Sequence, residues 1–249
     1  MKWADWAIVK ETDSYFDLTK AQNKELKQQI QKDLARVKKE NFPIIAKFLR
    51  KIADQLKADK LSTEEIQGIQ TEFQTVVRAA LNQFQSTALD FSMSTSPEQI
   101  EYFKKKYNAE TEKHAEEIKT EKDQFKLQKK NFEKWTDEWL NGLNSSQQVR
   151  LEEDIKAFPF PWQLQVRSRD VSLKNFLKAR LSRDTLKIYM DKAEDERDPE
   201  YEKALKEYQI HLRIFIGSLF QSLTIEQKKY LIHKLESRAQ ELDVLAREP

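Results

Sequence analysis

The sequence predicts an all-α protein, an elongated bundle or cradle of about seven to nine helices, several of them long, with no sheet. Three observations carry that expectation. With only 3 Gly and 6 Pro in 249 residues, turns must be few, and long helices joined by short connections use such a composition best. No segment sustains the alternation of a strand. Third, one helix-starting device recurs five times, as Leu18-Thr19-Lys20-Ala21-Gln22, Leu61-Ser62-Thr63-Glu64-Glu65, Thr95-Ser96-Pro97-Glu98-Gln99, Leu143-Asn144-Ser145-Ser146-Gln147 and Leu223-Thr224-Ile225-Glu226-Gln227. In each, the short polar side chain is placed to accept from the amide three residues on, while Gln or Glu there reaches back to the cap's own amide. Two orphan donors are satisfied together.

The elements follow in order. A short amphipathic opening runs from Trp3 to Phe16. The first box then releases a helix with Leu26, Ile30, Leu34 and Val37 on one face. Pro43 lacks an amide donor and biases Phe42 away from helix, so a kink or break is expected before the stripe resumes at Ile45, Phe48, Leu49, Ile52 and Leu56. The second box opens a helix through Ile66, Phe73, Val76 and Leu81, with Leu61 placed to staple against Ile66. The third uses Ser96 as cap and Pro97 at the first helical position, and its helix is expected to reach Trp139 as one long charged arm. Asn141-Gly142 closes that arm. The fourth box opens a helix through Val149, Leu151 and Ile155, which ends at Phe158-Pro159-Phe160-Pro161-Trp162, a hinge candidate. Further helices are expected from about Ser172 to Glu194, from Pro199 after an Asp198 cap to Ser222, and from Ile225 to Leu245.

Box origins are 43, 34, 48 and 80 residues apart, the last interval about twice the others, which raises an eroded repeat near forty. Leu181-Ser182 falls near the missing position. Thr185 stands there in place of Gln or Glu, and Phe176 to Tyr189 reads as one uninterrupted helix, so no cap is assigned. The chain is expected to divide into an N-terminal helical half, 1–142, holding the long charged helix, and a C-terminal half, 143–249, together forming one continuous structural unit.

Composition excludes several function classes. Lys and Arg total 44 against 42 Asp and Glu, so the basic excess that phosphate neutralisation demands is missing and no nucleic-acid partner is expected. Zero cysteine removes thiol nucleophiles, thiolate metal ligation and disulfides from this chain. No run approaches the ~18 apolar residues of a spanning helix. His114, His211 and His233 are far apart, none with a second histidine one turn away, so no metal site is assigned. Gly68, Gly142 and Gly217 are isolated and build no phosphate loop. Adjacent carboxylates such as Glu116-Glu117 and Glu152-Glu153 point in different directions on a helix and read as surface charge. No catalytic residue and no cofactor is assigned, and the chain is expected not to be an enzyme.

Aromatic residues are the more informative class. Trp3, Trp6, Tyr15 and Phe16 crowd the start, and Phe158, Phe160 and Trp162 crowd the hinge. These seven are the candidate binding residues, since aromatic anchors left exposed grip apolar parts of another protein; burial in a core is the competing role. The boxes, at Leu18, Thr19 and Gln22, Ser62 and Glu65, Ser96 and Gln99, Asn144 and Gln147, and Leu223, Thr224 and Gln227, are assigned structural capping.

Ala4-Asp5-Trp6, Asp13, Tyr15-Phe16-Asp17-Leu18-Thr19 and Gln22 together resemble the opening of a bacterial envelope lipoprotein family classified as a domain of unknown function. Phe160-Pro161-Trp162 followed by Arg167 is similar to that family's central Trp and Arg segment, and Pro199-Glu200-Tyr201 through Leu223-Thr224-Ile225-Glu226-Gln227 to its closing helices. The resemblance spans essentially the whole chain. Members carry a secretion signal ending in a lipid-modified cysteine just before the tryptophan-containing opening. It therefore implies a mature form lacking that segment, held to a membrane only through the lipid and facing the periplasm. No activity comes with it. The Leu-Thr-x-x-Gln box is also similar to the paired motifs of the Spy and CpxP periplasmic chaperones, reproduced in full at Leu18 to Gln22 and Leu223 to Gln227, although capping boxes recur in helical proteins of every kind. The expected function is non-enzymatic binding of a protein partner or unfolded client through a concave helical face, in a chaperone-like manner; the alternative is a structural or scaffolding part of envelope assembly.

Overall fold

The computed structural model describes residues 4–59, 61–192 and 197–247. Among them there is no strand, and the elements are twelve α-helices and one π-helical turn: α1 (Ala4–Phe16), α2 (Lys20–Arg36), the π turn (Val37–Asn41), α3 (Phe42–Lys57), α4 (Thr63–Asn82), α5 (Gln85–Ser94), α6 (Pro97–Glu117), α7 (Glu121–Leu140), α8 (Ser145–Ala157), α9 (Trp162–Ala179), α10 (Arg183–Asp191), α11 (Pro199–Gln221) and α12 (Ile225–Arg247). The all-α class holds, but the expected seven to nine helices are too few. Breaks inside segments that read as continuous supply the extra elements.

The long arm from Ser96 to Trp139 is the clearest correction. It ends at Glu117 and a new helix starts at Glu121, because Ile118 turns fully inward and Thr120 takes an extended backbone, its hydroxyl accepting the Asp123 amide at 3.2 Å. Gln124 then donates to the freed Ile118 carbonyl at 2.9 Å. The helix expected from Ser172 to Glu194 is likewise two. It begins ten residues earlier, at Trp162, breaks after Ala179 and restarts at Arg183, and its expected end at Glu194 lies outside the described residues. Ser182, passed over as a cap, accepts the Thr185 amide at 3.2 Å, and the two hydroxyls bond each other at 2.7 Å. The disturbance expected near Pro43 takes the form of the π turn, after which the proline sits in the first turn of α3, where its missing donor costs no helical bond.

The chain forms two compact units and passes from one to the other after Val37, Arg78, Glu117, Trp162 and Glu202. Neither unit is the half 1–142 or 143–249, because each is drawn from three separate stretches. In the first unit Val9, Leu26 and Ile30 join α1 to α2, with Leu34, Phe84 and Phe91 against them. Phe16 stacks on Phe103 at 4.7 Å and meets Phe91 edge-on at 5.1 Å, while Phe103 also meets Phe176 at 5.4 Å. In the second unit α3 and α12 lie side by side, and Ala53, Leu56, Leu140, Leu151, Ile155, Phe215, Leu219, Leu231 and Leu235 form one apolar core. Ion pairs from Arg50 to Asp243 and from Lys57 to Glu236, both at 2.5 Å, line the α3 and α12 rim. They are half-exposed, so packing rather than charge holds that pair together.

Candidate functional site

All five boxes close in both directions, and four of them also close on one another. Thr19, Ser62, Ser96, Asn144 and Thr224 each accept the amide three residues on, at 3.0–3.3 Å, and Gln22, Glu65, Gln99, Gln147 and Gln227 each accept the cap's own amide at 2.7–3.1 Å. In the first unit Gln22 and Gln99 exchange side-chain amide bonds, 3.0 Å one way and 2.9 Å the other. In the second unit Gln147 and Gln227 do the same at 3.0 and 2.9 Å. Three of these four glutamines also donate to a backbone carbonyl at the foot of the opposite box: Gln99 to Asp17, Gln227 to Gly142 and Gln147 to Ser222. Gly142 has a positive φ of 91°, a backbone that turns its carbonyl away from α7 at little cost only for glycine. Leu18 and Leu223 are half-buried beside these locks and pack on the two cores.

Glu65 makes its own box but joins no such lock, and the chemistry explains it. A carboxylate has acceptors and no donor, so it can cap but cannot exchange bonds with a second side-chain amide. Such a cyclic pair leaves no buried amide atom unmet, which is the condition for burying a polar group at tolerable cost.

Arg167 and Asp198 form a further polar centre in the first unit. The guanidinium holds Asp198 through two bonds, at 3.2 and 3.0 Å, and also bonds Glu200. The same carboxylate accepts the Glu200 and Tyr201 amides at 2.9 and 3.1 Å and so caps α11. Arg167 beside it, then the Tyr201 amide, hold the Asp198 carboxyl below its ordinary value. The Asp198 carboxylate is thereby spent on starting α11 and on holding Arg167.

Of the aromatic candidates, Trp3 lies outside the described residues. Trp6 is half exposed, with the Lys10 ammonium 4.7 Å from its ring centre. Tyr15 and Phe16 are half-buried in the first unit's aromatic cluster. Phe158, Phe160 and Trp162 belong to the second unit, so the two groups do not combine within one unit. Trp162 is buried, Phe160 packs between it and Tyr208, and Phe158 is exposed with His211 stacked on it at 3.6 Å. Gln128 fixes this segment by accepting the Phe160 amide at 3.0 Å and donating to the Tyr208 hydroxyl at 3.4 Å. Burial pushes Tyr208 up to about 12, and burial also raises the Asp154 carboxyl against the opposing pull of His211.

The residues that the sequence did not single out lie on α4 and α11 of the second unit. Arg213 donates to Gln70 at 3.1 Å and bridges the two helices. Around that bond Phe73 (54% exposed), Val77 (37%), Ile210 (48%) and Ile214 (55%) present large apolar side chains to solvent. Phe73 and Val77 follow Gln70 on one face of α4, and Ile210 and Ile214 flank Arg213 on α11. Phe73 also meets Phe48 of α3 at 6.2 Å. One sequence signal marks the place: from Ile66 to Asn82 the charged residues are Glu72 and Arg78, in a chain that is 35% charged. Loss of charge is the compositional mark of an interface centre.

No group of three or more His, Asp or Glu among the described residues is placed to hold a metal ion, and no described helix is long and apolar enough to cross a membrane. An open polar cleft in the first unit is lined by Tyr15, Glu110, Lys113, His114, Glu117 and Arg169. Arg169 is spent on Thr111 at 2.8 Å and on the Tyr107 ring, and Glu110 pairs with Lys106 at 3.1 Å, so both are engaged by residues beside the cleft. Over residues 14–196 the sequence matches DUF6279, a family of unknown function, and the chain belongs to that family. No curated protein and no solved structure matches it.

Proposed function

We propose that this DUF6279 protein is a non-enzymatic component of the bacterial cell envelope, facing the periplasm and lipid-anchored in its full-length form, that binds a protein partner or unfolded client. One observation carries the binding part: the exposed face of Phe73, Val77, Ile210 and Ile214 about the Arg213 to Gln70 bond. Scattered apolar residues on a surface are ordinary, but four on adjoining helices in a charge-poor stretch make a patch of the kind that holds apolar segments of another chain. The surrounding charge is balanced, 44 basic against 42 acidic residues, which suits clients of either sign. The location rests on the likeness of the opening, the Phe160-Pro161-Trp162 segment and the closing helices to envelope lipoproteins. The chaperone-like character rests on the paired Leu-Thr-x-x-Gln boxes, which are similar to those of Spy and CpxP.

The test is aggregation of a denatured model client with and without equimolar protein. Suppression is expected, and the client affinity behind it should fall by about a hundredfold when Phe73→Ser and Ile214→Ser together remove most of the apolar area, on the order of 3 kcal/mol of transfer free energy. No suppression by the unaltered protein removes the chaperone form. A tight dimer that buries Phe73 and Ile214 would favour scaffolding in envelope assembly instead. Labelling of the full-length form with a radioactive fatty acid in growing cells checks the anchor.

A further inference from the structure

The face formed by α4 and α11 in the second unit carries a cation at its centre that no carboxylate answers. Arg213 donates to the side-chain carbonyl of Gln70 at 3.1 Å, a neutral partner, and its remaining N–H groups have no acceptor among the described residues. A guanidinium offers five donors, so most of its capacity is left to solvent. On neither helix does a charged residue stand one turn before or after the bonded pair.

The rim does not supply the missing charge. Lys206 and Glu207 adjoin on α11 with opposite signs, and Glu72 of α4 is spent on Lys51 of α3. Arg78, next after Val77, adds a cation. The whole chain is balanced, 44 basic against 42 acidic residues, so a preference for one sign must come from local groups, and here they leave the guanidinium uncompensated. Its neighbours are apolar: Ile210 and Ile214 stand before and after it on α11, and Phe73 and Val77 follow Gln70 on α4. Such surroundings strengthen the charge-assisted bond that an incoming carboxylate would make.

We infer that the segment held on this face is an amphipathic stretch of another protein with a carboxylate set between apolar residues. The carboxylate pairs with Arg213 while its apolar neighbours cover Phe73, Val77, Ile210 and Ile214. The inference rests on the reading of this face as the client surface and adds the chemistry of what it takes. Charge complementarity selects an acidic residue over a neutral or basic one. Apolar groups to either side of the guanidinium select a chain with apolar residues on both sides of its acid, whereas a fatty acid has a single tail. A second copy of this chain fits poorly, because a two-fold contact centred here would oppose two guanidinium groups.

The experiment is fluorescence anisotropy of the whole chain with two labelled peptides, blocked at both ends and built on Ala, Ser and Gln. One has a central Glu with Leu one turn to either side, and its twin has Gln in place of that Glu. The Glu peptide is expected to bind about tenfold tighter at low salt, with the preference shrinking as salt rises. Arg213→Gln should abolish the preference by weakening the Glu peptide alone. Arg213→Lys, which keeps the charge and loses the fork, should retain a preference of about threefold. Phe73→Ser with Ile214→Ser should weaken both peptides alike, on the order of a hundredfold. Circular dichroism confirms that each variant is folded. Equal binding of the two peptides by the parent overturns this inference and leaves an apolar client surface standing. A preference that survives Arg213→Gln, an Arg213→Lys variant without one, or peptides that bind as well after loss of the apolar pair would overturn it too. So would a dimer of the protein alone that the Glu peptide fails to dissociate, which seats a second copy on the face. Binding of neither peptide also overturns it, and the aggregation assay then tells whether client binding itself survives.

Discussion

A glutamine at the third position of a capping box has more hydrogen-bonding capacity than the cap consumes. Its carbonyl answers the cap's amide, and its two amide hydrogens are left over. In Gln147 those hydrogens meet Gln227 and Ser222, and the side chain is almost fully buried. Gln147→Glu would keep the cap and destroy the lock, leaving a carboxylate among acceptor oxygens. The expected loss is about 2 kcal/mol at neutral pH, measured by urea denaturation. Burial, with the second carboxyl oxygen facing the Gln227 and Ser222 carbonyl oxygens, raises the folded-state pKa of the new carboxyl above its unfolded value, so the lost stability returns as pH falls and disappears again as pH rises through the folded value. Asp198 has the opposite sign. Arg167 holds its carboxyl below the ordinary value, so its contribution is present above the unfolded pKa and is lost as pH falls through the folded one. Asp198→Asn, which still caps a helix, should flatten the acid limb of the stability curve while α11 remains formed by circular dichroism.

At the scale of elements, the sequence is legible wherever a box uses Gln beside an apolar run. The helices after Thr19, Asn144 and Thr224 start at the residues the boxes mark. It is misleading where a cap is hidden among charges or uses an unusual third residue. Thr120 and Asp123 make a working start inside the charged run from Ser96 to Leu140, and the density of Lys and Glu masks it, because those residues favour helix on both sides of the break. Thr120→Ala should cost about 1 kcal/mol, seen as a lower denaturation midpoint with unchanged slope. In an uninterrupted helix the same change would be neutral or slightly stabilising, since alanine is the better helix former. Ser182 is misread for a related reason: Thr185 completes its start with a hydroxyl where the other boxes use a carboxyl or amide. The exposed face of α4 and α11 is invisible to periodicity, since Phe73 and Ile214 fall in apolar patterns that read as core. Which members of such a stripe are covered depends on what packs beside the helix.

Across the whole molecule the caps at Thr19, Ser96 and Ser182 fall in the first unit and those at Ser62, Asn144 and Thr224 in the second. The order alternates along the chain, and the passages between units recur at intervals of roughly forty residues, the spacing hinted at by the boxes. In each unit two boxes lock through glutamines and the third stands apart. Replacing Thr19 and Thr224 with Ala removes one cap from each unit, with an expected loss of about 1 kcal/mol per cap and no selective loss of client binding. Unchanged stability with lost binding would mean that the boxes touch the client. The sequence by itself determined the helical class and the main helix starts, because capping and the scarcity of glycine and proline act within a few residues of the chain. Only the tertiary structure decided which boxes pair, where the long helices break, and which apolar residues stay uncovered, because each depends on atoms brought together from stretches far apart in the chain.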